Sequence, residues 1–170
     1  MDIDALFRRY HPSLFRYLCK LTGDADVAAD AAQESFVRLL RQDLPEAEAR
    51  PWLFTVATNL VRDGARKGAR RERLLAEIPL PQHAGARADE MVERNEEIER
   101  VRAVLARMPE RDRQLLLMRE EGFRYEEMAQ VVGVAPGSVG TLIARALKRF
   151  VTTYRAVSGA VQGAGDDSSE

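Results

Sequence analysis

A single cysteine, Cys19, among 170 residues excludes an internal disulfide, and with only two histidines, His11 and His83, it cannot complete a zinc-finger ligand set. No metal is expected, and Cys19, set among Phe15, Leu18 and Leu21, reads as a small buried hydrophobe. Long apolar runs are missing as well. The longest aliphatic stretch is Leu115 to Met118, far short of the roughly 18 apolar residues of a membrane span, and the acidic opening Met1-Asp2-Ile3-Asp4 does not suit a signal peptide. The expectation is a cytoplasmic chain without membrane insertion. An excess of one charge is also lacking: 26 Lys and Arg stand against 27 Asp and Glu, a formal net charge of −1 that excludes a uniformly basic nucleic-acid coat. Walker loops, GxSxG, HExxH and CxxC are all absent, so neither catalytic residues nor cofactors are expected.

The residues that are present can fold. Hydrophobic residues make up 45% of the chain, too many for a disordered polypeptide. Charge is unevenly placed, with nets of −2 over Met1–Arg50, +4 over Pro51–Leu75, −4 over Ala76–Arg100 and +1 over the remainder. Within that remainder, Met128–Gly165 holds Arg145, Lys148, Arg149 and Arg155 and no acid. Near-neutrality therefore conceals two basic segments.

Periodicity is helical throughout. Leu6, Phe7, Tyr10, Leu14, Phe15, Leu18 and Leu21 recur at three- and four-residue spacing, with a bend expected at Pro12. Asp24 suits the N-cap of a second helix through Val27, Ala31, Phe36, Val37 and Leu40. A third, about Trp52 to Arg73, is expected to follow the turn at Arg50-Pro51. The stretch Ile78 to Gly85, with two Pro and one Gly, reads as a linker that places His83 in a loop. Four more helices are expected at about Asp89–Arg107, Arg111–Arg119, Tyr125–Val132 and Gly137–Tyr154, before a Gly-, Ser- and Asp-rich tail. The predicted fold class is all-α: two small helical domains, 1–75 and 96–156, joined by a flexible linker over 76–95 and followed by a disordered tail over 157–170.

The sharpest local signal is Tyr125-Glu-Glu-Met-Ala-Gln-Val-Val-Gly133-Val-Ala-Pro-Gly-Ser-Val139. Met128, Ala129 and Val132 form one apolar stripe, Gly133 supplies a tight turn, and Val139 and Ile143 seat the next helix. This is a helix-turn-helix whose second helix can present Ser138, Thr141, Arg145, Lys148 and Arg149 to a DNA major groove.

Leu105-Ala-Arg-Met-Pro-Glu-Arg-Asp-Arg-Gln-Leu-Leu-Leu-Met-Arg119 before this motif, and Arg145-Ala-Leu-Lys-Arg-Phe150 within its last helix, resemble the C-terminal promoter-binding domain of bacterial RNA polymerase sigma factors. Asp24 to Leu40 resembles the helix with which that family docks on core polymerase, and Pro51 to Asp63 the helix that melts and reads the −10 element. Two such lobes in this order resemble the extracytoplasmic-function (ECF) subgroup. The resemblance implies partners: the β′ clamp and β flap of core RNA polymerase, promoter DNA, and an anti-sigma factor. It assigns polymerase binding to Asp30, Gln33, Glu34 and Phe36, with the first three sharing a helix face. It assigns the −10 element to Asn59, whose amide suits the edge of an unstacked base, and to the basic stripe Arg62, Arg66, Lys67, Arg70 and Arg71, which suits phosphate. Ser138, Thr141, Arg145, Lys148 and Arg149 are assigned to the −35 element. Gly140 and Leu142 stand where the family is usually basic, Ala144 where a larger side chain is usual, and Arg124 and Ala135 where Ser caps are usual, so phosphate anchoring outweighs base reading here. Trp52 and Phe54 read as core. A stand-alone helix-turn-helix regulator is the alternative; it leaves the Asp30 face and Asn59 unexplained, and no dimerisation heptads are evident.

Overall fold

The computed structural model describes residues 2–75 and 92–163, with side chains described over 2–67 and 96–159. The described residues form seven helices and no strand: α1 (Ile3–Thr22), α2 (Ala25–Leu39), α3 (Glu46–Leu75), α4 (Val92–Arg107), α5 (Glu110–Glu120), α6 (Tyr125–Val132) and α7 (Pro136–Gly163). The all-α reading holds. The linker expected over 76–95 falls almost wholly on residues outside those described, as does His83.

Helix ends follow local chemistry. Asp2 Oδ1 accepts the Ala5 N–H at 3.1 Å to start α1, and Gly23, at φ 74°, ends it in the left-handed region that glycine enters at no steric cost. Asp24 caps α2 as expected, with Oδ1 accepting the N–H groups of Asp26 and Val27 at 2.9 and 3.0 Å. α1 runs through Pro12 without interruption.

Several boundaries differ from expectation. α3 begins at Glu46, not after the Arg50-Pro51 pair. Pro51 removes only the one donor that would reach the carbonyl four residues back, and burial of Ala49, Pro51 and Leu53 together with the acidic first turn of Glu46 and Glu48 offsets that loss. α5 starts one residue earlier, at Glu110. α7 continues to Gly163 rather than ending near Tyr154, so 157–163 is helix and not the start of a tail. Its apolar stripe extends to the buried Val157, and α7 packs along α4. Residues 164–170 lie outside those described.

α1, α2 and α3 form the first lobe. α2 turns Ala28, Ala31, Ala32 and Ser35 inward, small side chains that let its backbone approach its neighbours. Tyr17, fully buried, shares a hydrogen bond of 3.0 Å with the buried Thr58 hydroxyl and so ties α1 to α3. The second lobe wraps α7 with α4, α5 and α6. Val104, Leu115, Met118, Met128, Val139, Ile143 and Ala146 fill it.

The lobes are not separate. α3 packs on α6 and α1 on α5, and buried residues of both lobes join one core. At the junction Phe54 of α3 meets Phe123 of the α5–α6 turn edge to face, ring centroids 4.5 Å apart.

Candidate nucleic-acid interface

On α2, Asp30, Gln33 and Glu34 are all exposed. Asp24 and the buried Ala28, Ala31, Ala32 and Ser35 orient the helix so that this polar face looks outward, next to the exposed Val37. Glu34 accepts from Arg38 Nε at 2.7 Å one turn on. Phe36 is a correction to the predicted face: only 5% exposed, it belongs to the core, with its ring 4.9 Å from that of the exposed Phe7. Two residues on from Glu34, it lies on the opposite side of the helix, with the buried Ala32 and Leu39, and points inward.

On α3, Asn59 is exposed and its Oδ1 accepts from Arg62 Nη1 at 3.3 Å, leaving the amide donors outward. Arg66 and Lys67 are exposed one turn further. Arg70 and Arg71 lie on α3, with side chains outside the described residues. Trp52 is half-buried and Phe54 wholly buried, its ring 5.0 Å from that of Tyr17, so both belong to the packing. A groove of about 1030 Å³ runs between α2 and α3. Val27, Ala31, Leu60 and Val61 line it, Asp30 and Arg62 border it, and Glu110 and Arg113 of α5 reach it from the second lobe.

The helix-turn-helix forms as the residues dictate. Gly133 ends α6 at φ 69°, with its N–H on the Ala129 carbonyl, and Val139 and Ile143 are buried. Val132 is half-buried rather than core. Arg124 has no acceptor to offer as a cap, but its N–H is accepted by Glu127 Oε2 at 2.8 Å, so half of a capping box survives. Ser138, Thr141, Ala144, Arg145, Lys148 and Arg149 are exposed along α7. Gly140 and Leu142 sit elsewhere: Leu142 packs against the core, and a methyl group on Gly140 would lie 3.5 Å from Tyr125 Cε2. Neither is therefore a charge lost from the outer face. Arg149 is already engaged, with Nη1 on Asp112 Oδ2 at 2.5 Å, and that carboxylate is almost fully buried. Arg145 and Lys148 make no ion pair among the described residues.

Three cations at the lobe junction, Arg50, Arg16 and Lys20, escaped the sequence reading, and a fourth, Arg62, is read there only as a DNA contact. Arg50 Nη2 donates to the Glu121 carbonyl at 2.5 Å and Nη1 to the Gly122 carbonyl at 3.3 Å, with Glu127 Oε2 at 3.4 Å. Its guanidinium carbon lies 3.9 Å from the Phe123 ring centroid. Arg16 grips the Glu121 carboxylate through Nε and Nη2 at 3.1 and 2.7 Å, and that hydrogen bond and charge raise the Arg16 pKa above its ordinary value. Lys20 pairs with Glu120. Arg62 Nε and Nη2 both reach Glu110 Oε1, at 3.0 and 2.7 Å. The sequence signal was acid in α5 and base in α1 and α3, but which acid meets which base is a long-range fact. Burial pushes the Tyr17 hydroxyl up to about 12 against the smaller opposing effect of its Thr58 hydrogen bond, and it raises the half-buried Cys19 thiol. Among the described residues no His, Cys, Asp and Glu group is arranged to hold a metal, and no single helix is long and apolar enough to cross a membrane.

Residues 6–71 match the family described as Sigma-70 region 2, and residues 98–150 match Sigma-70, region 4. The chain is 32% identical over 143 residues to the ECF RNA polymerase sigma factor EcfG of Rhodopseudomonas palustris, covering 82% of this chain and 77% of the relative. It is 27% identical over 165 residues to the RNA polymerase sigma factor YlaC of Bacillus subtilis, covering 91% and 94%. Its fold resembles that of the sigma factor RpoE of Bartonella quintana, solved in complex with the anti-sigma factor NepR. That likeness has a TM-score of 0.69 at 19% identity, over 91% of this chain and 97% of the other. With both sigma regions present in order on one all-helical chain, the chain belongs to the ECF RNA polymerase sigma factors, which associate with RNA polymerase for promoter-specific transcription initiation.

Proposed function

We propose that the first lobe docks on the β′ clamp of core polymerase through Asp30, Gln33 and Glu34 and captures the −10 strand through Asn59, Arg62, Arg66, Lys67, Arg70 and Arg71. The second lobe engages the β flap and sets Ser138, Thr141, Arg145 and Lys148 against the −35 element, with Arg149 a structural anchor first and a phosphate contact second. The observation that carries this reading is the pair of outward faces on adjacent helices, acidic on α2 and amide-plus-basic on α3, flanking one groove. An acidic face attracts a basic protein surface, while Arg and Lys hold phosphate without reading sequence and Asn59 supplies the base-edge donors and acceptors. The protein contributes no covalent chemistry. It works in the cytoplasm, restrained by an anti-sigma partner of the kind found on the Bartonella quintana protein.

Purified core polymerase with this protein is expected to initiate at a defined set of genomic promoters, and neither component alone. Asp30→Lys with Glu34→Lys should abolish co-elution with core polymerase. Asn59→Ala should leave co-elution intact and lose −10 sequence preference. Equal co-elution of the charge-reversed protein would overturn the docking face.

A further inference from the structure

We propose that the groove between the α4–α5 turn and α7 is a phosphate-binding site whose principal cation is Arg107, a residue outside the helix-turn-helix. The groove holds about 460 Å³ and is lined by Arg107, Arg145, Lys148, Arg149, Thr152 and Thr153. Among the described residues four cations line it and no carboxylate does. Asp112 neutralises Arg149 from an almost fully buried position and so lends the groove no exposed negative charge. Arg107, Arg145 and Lys148 are exposed and make no ion pair among the described residues. Three like charges that converge without a counter-ion raise the local potential and attract an anion.

The site is assembled from two elements. Arg145, Lys148 and Thr152 recur at three- and four-residue spacing and so share one side of α7. Arg107 stands in the last turn of α4, on a separate wall of the same groove. The turn that presents it is fixed. Met108 is buried with its N–H on the Leu105 carbonyl at 3.1 Å, and the Arg113 N–H meets the Pro109 carbonyl at 3.1 Å to start α5. Arg107 and Lys148 supply charged donors, and the half-buried Thr153 adds a hydroxyl, whereas the Thr152 hydroxyl is already donated to the Lys148 carbonyl at 3.0 Å. A planar carboxylate is satisfied by one guanidinium fork, but a tetrahedral phosphate has oxygens for donors on both walls. Since the groove continues the face of Arg145 and Lys148, its expected ligand is a backbone phosphate of the duplex those residues meet. For that source the inference rests on reading them as −35 contacts. A phosphate held at the α4–α5 turn sets the register of the duplex without reading a base.

The test has two arms. In the first, the full chain is bound to core polymerase on a promoter at which that holoenzyme initiates, and the parent is compared with Arg107→Gln, Arg107→Lys and Arg102→Gln. Arg102 is exposed on the same helix, pairs with Glu99 and lies outside the groove. Arg107→Gln is expected to reduce the slope of log affinity against log salt by about 1 and to weaken binding alike on parent and altered −35 sequences. Arg107→Lys should keep the parent slope, and Arg102→Gln should not change it. In the second arm, inorganic phosphate is titrated into the free full chain while amide and arginine side-chain N–H resonances are followed. Saturable shifts at Arg107, Lys148 and Thr153 in the parent that vanish in Arg107→Gln report phosphate in the groove. Such shifts with an unchanged salt slope would keep the site and make free phosphate its ligand. A slope that is unchanged, or that falls equally in Arg102→Gln, together with no saturable shift would overturn the proposal. If neither parent nor variant directs polymerase to any promoter, the −35 reading fails and the phosphate titration alone decides the site.

Discussion

At the scale of single residues, the decisive distinction is between side chains that look outward and those that hold the frame. Arg145, Lys148 and Arg149 look alike in sequence, yet only Arg149 satisfies the buried carboxylate of Asp112. Truncating it strands that charge, and a hydrogen bond to a charged group is worth about 1.5–3 kcal/mol. Arg149→Ala is therefore expected to lower the melting temperature by several degrees, while Arg145→Ala and Lys148→Ala leave it nearly unchanged and weaken only DNA binding. Thermal unfolding followed by circular dichroism separates the three. Tyr17 carries a second prediction. Its folded pKa of about 12 exceeds the ordinary value of 10.0 because burial favours the neutral phenol. The stability this confers is whole below pH 10 and is lost as pH rises toward 12, at about 1.4 kcal/mol per pH unit. Tyr17→Phe should remove this alkaline loss and cost about 1–3 kcal/mol at neutral pH by leaving the Thr58 hydroxyl buried and unpaired. An alkaline limb that persists unchanged in Tyr17→Phe would refute that assignment.

Elements were legible in the sequence wherever a local signal decides. The Asp24 cap, the Gly133 turn, the burial of Val139 and Ile143 and the outward face of Asp30, Gln33 and Glu34 all follow from spacing and cap chemistry within a few residues. Local signals failed where burial supplied from afar overrode them: Pro51 reads as a break but sits inside α3, and the Gly- and Ser-containing stretch after Tyr154 stays helical because α7 lies along α4. Phe36 failed differently, since a motif spans both faces of its helix and only the wheel separates Phe36 from Glu34. Of the DNA-facing set, outward placement was readable, but the engagement of Arg62 by Glu110 and of Arg149 by Asp112 was not, because each pairs residues more than 30 positions apart. One turn carries its own prediction. Gly122 at φ 71° has open space around its missing Cβ, so Gly122→Ala pays only for the left-handed backbone, about 1–2 kcal/mol. Gly64, also in open space but in the regular middle of α3, is the control: Gly64→Ala should stabilise by up to about 1 kcal/mol. Chemical denaturation of both variants gives the two signs directly.

For the whole molecule, the balance of charge and the balance of stability have a common origin. The net charge of −1 sums a basic α3 and a basic α7 against an acidic α2 and the acidic stretch Ala76–Arg100, while Glu110 and Glu120 of α5 and Glu121 just past it pair with cations of the first lobe and so close the lobes on each other. Each lobe alone falls in the size range where folding buries only about 60% of the unfolded surface and stability is marginal. Sharing a core through Phe54 and Phe123 supplies what each lacks, and it should make the chain unfold as one unit. Calorimetry is then expected to give a single transition whose van't Hoff and calorimetric enthalpies agree. Phe123→Ala removes a buried aromatic, a loss of about 3–5 kcal/mol, and removes it from the apolar centre of the junction between the lobes. The transition should therefore split into two, each with a lower enthalpy, rather than merely shift down. Leu14→Ala, equally buried but within the first lobe, should lower the first lobe's stability without weakening the junction itself. A Phe123→Ala protein that still melts in one transition with matched enthalpies would mean that the lobes cohere without this contact, and that the Arg50 hydrogen bonds and the ion pairs between the lobes are enough to couple them.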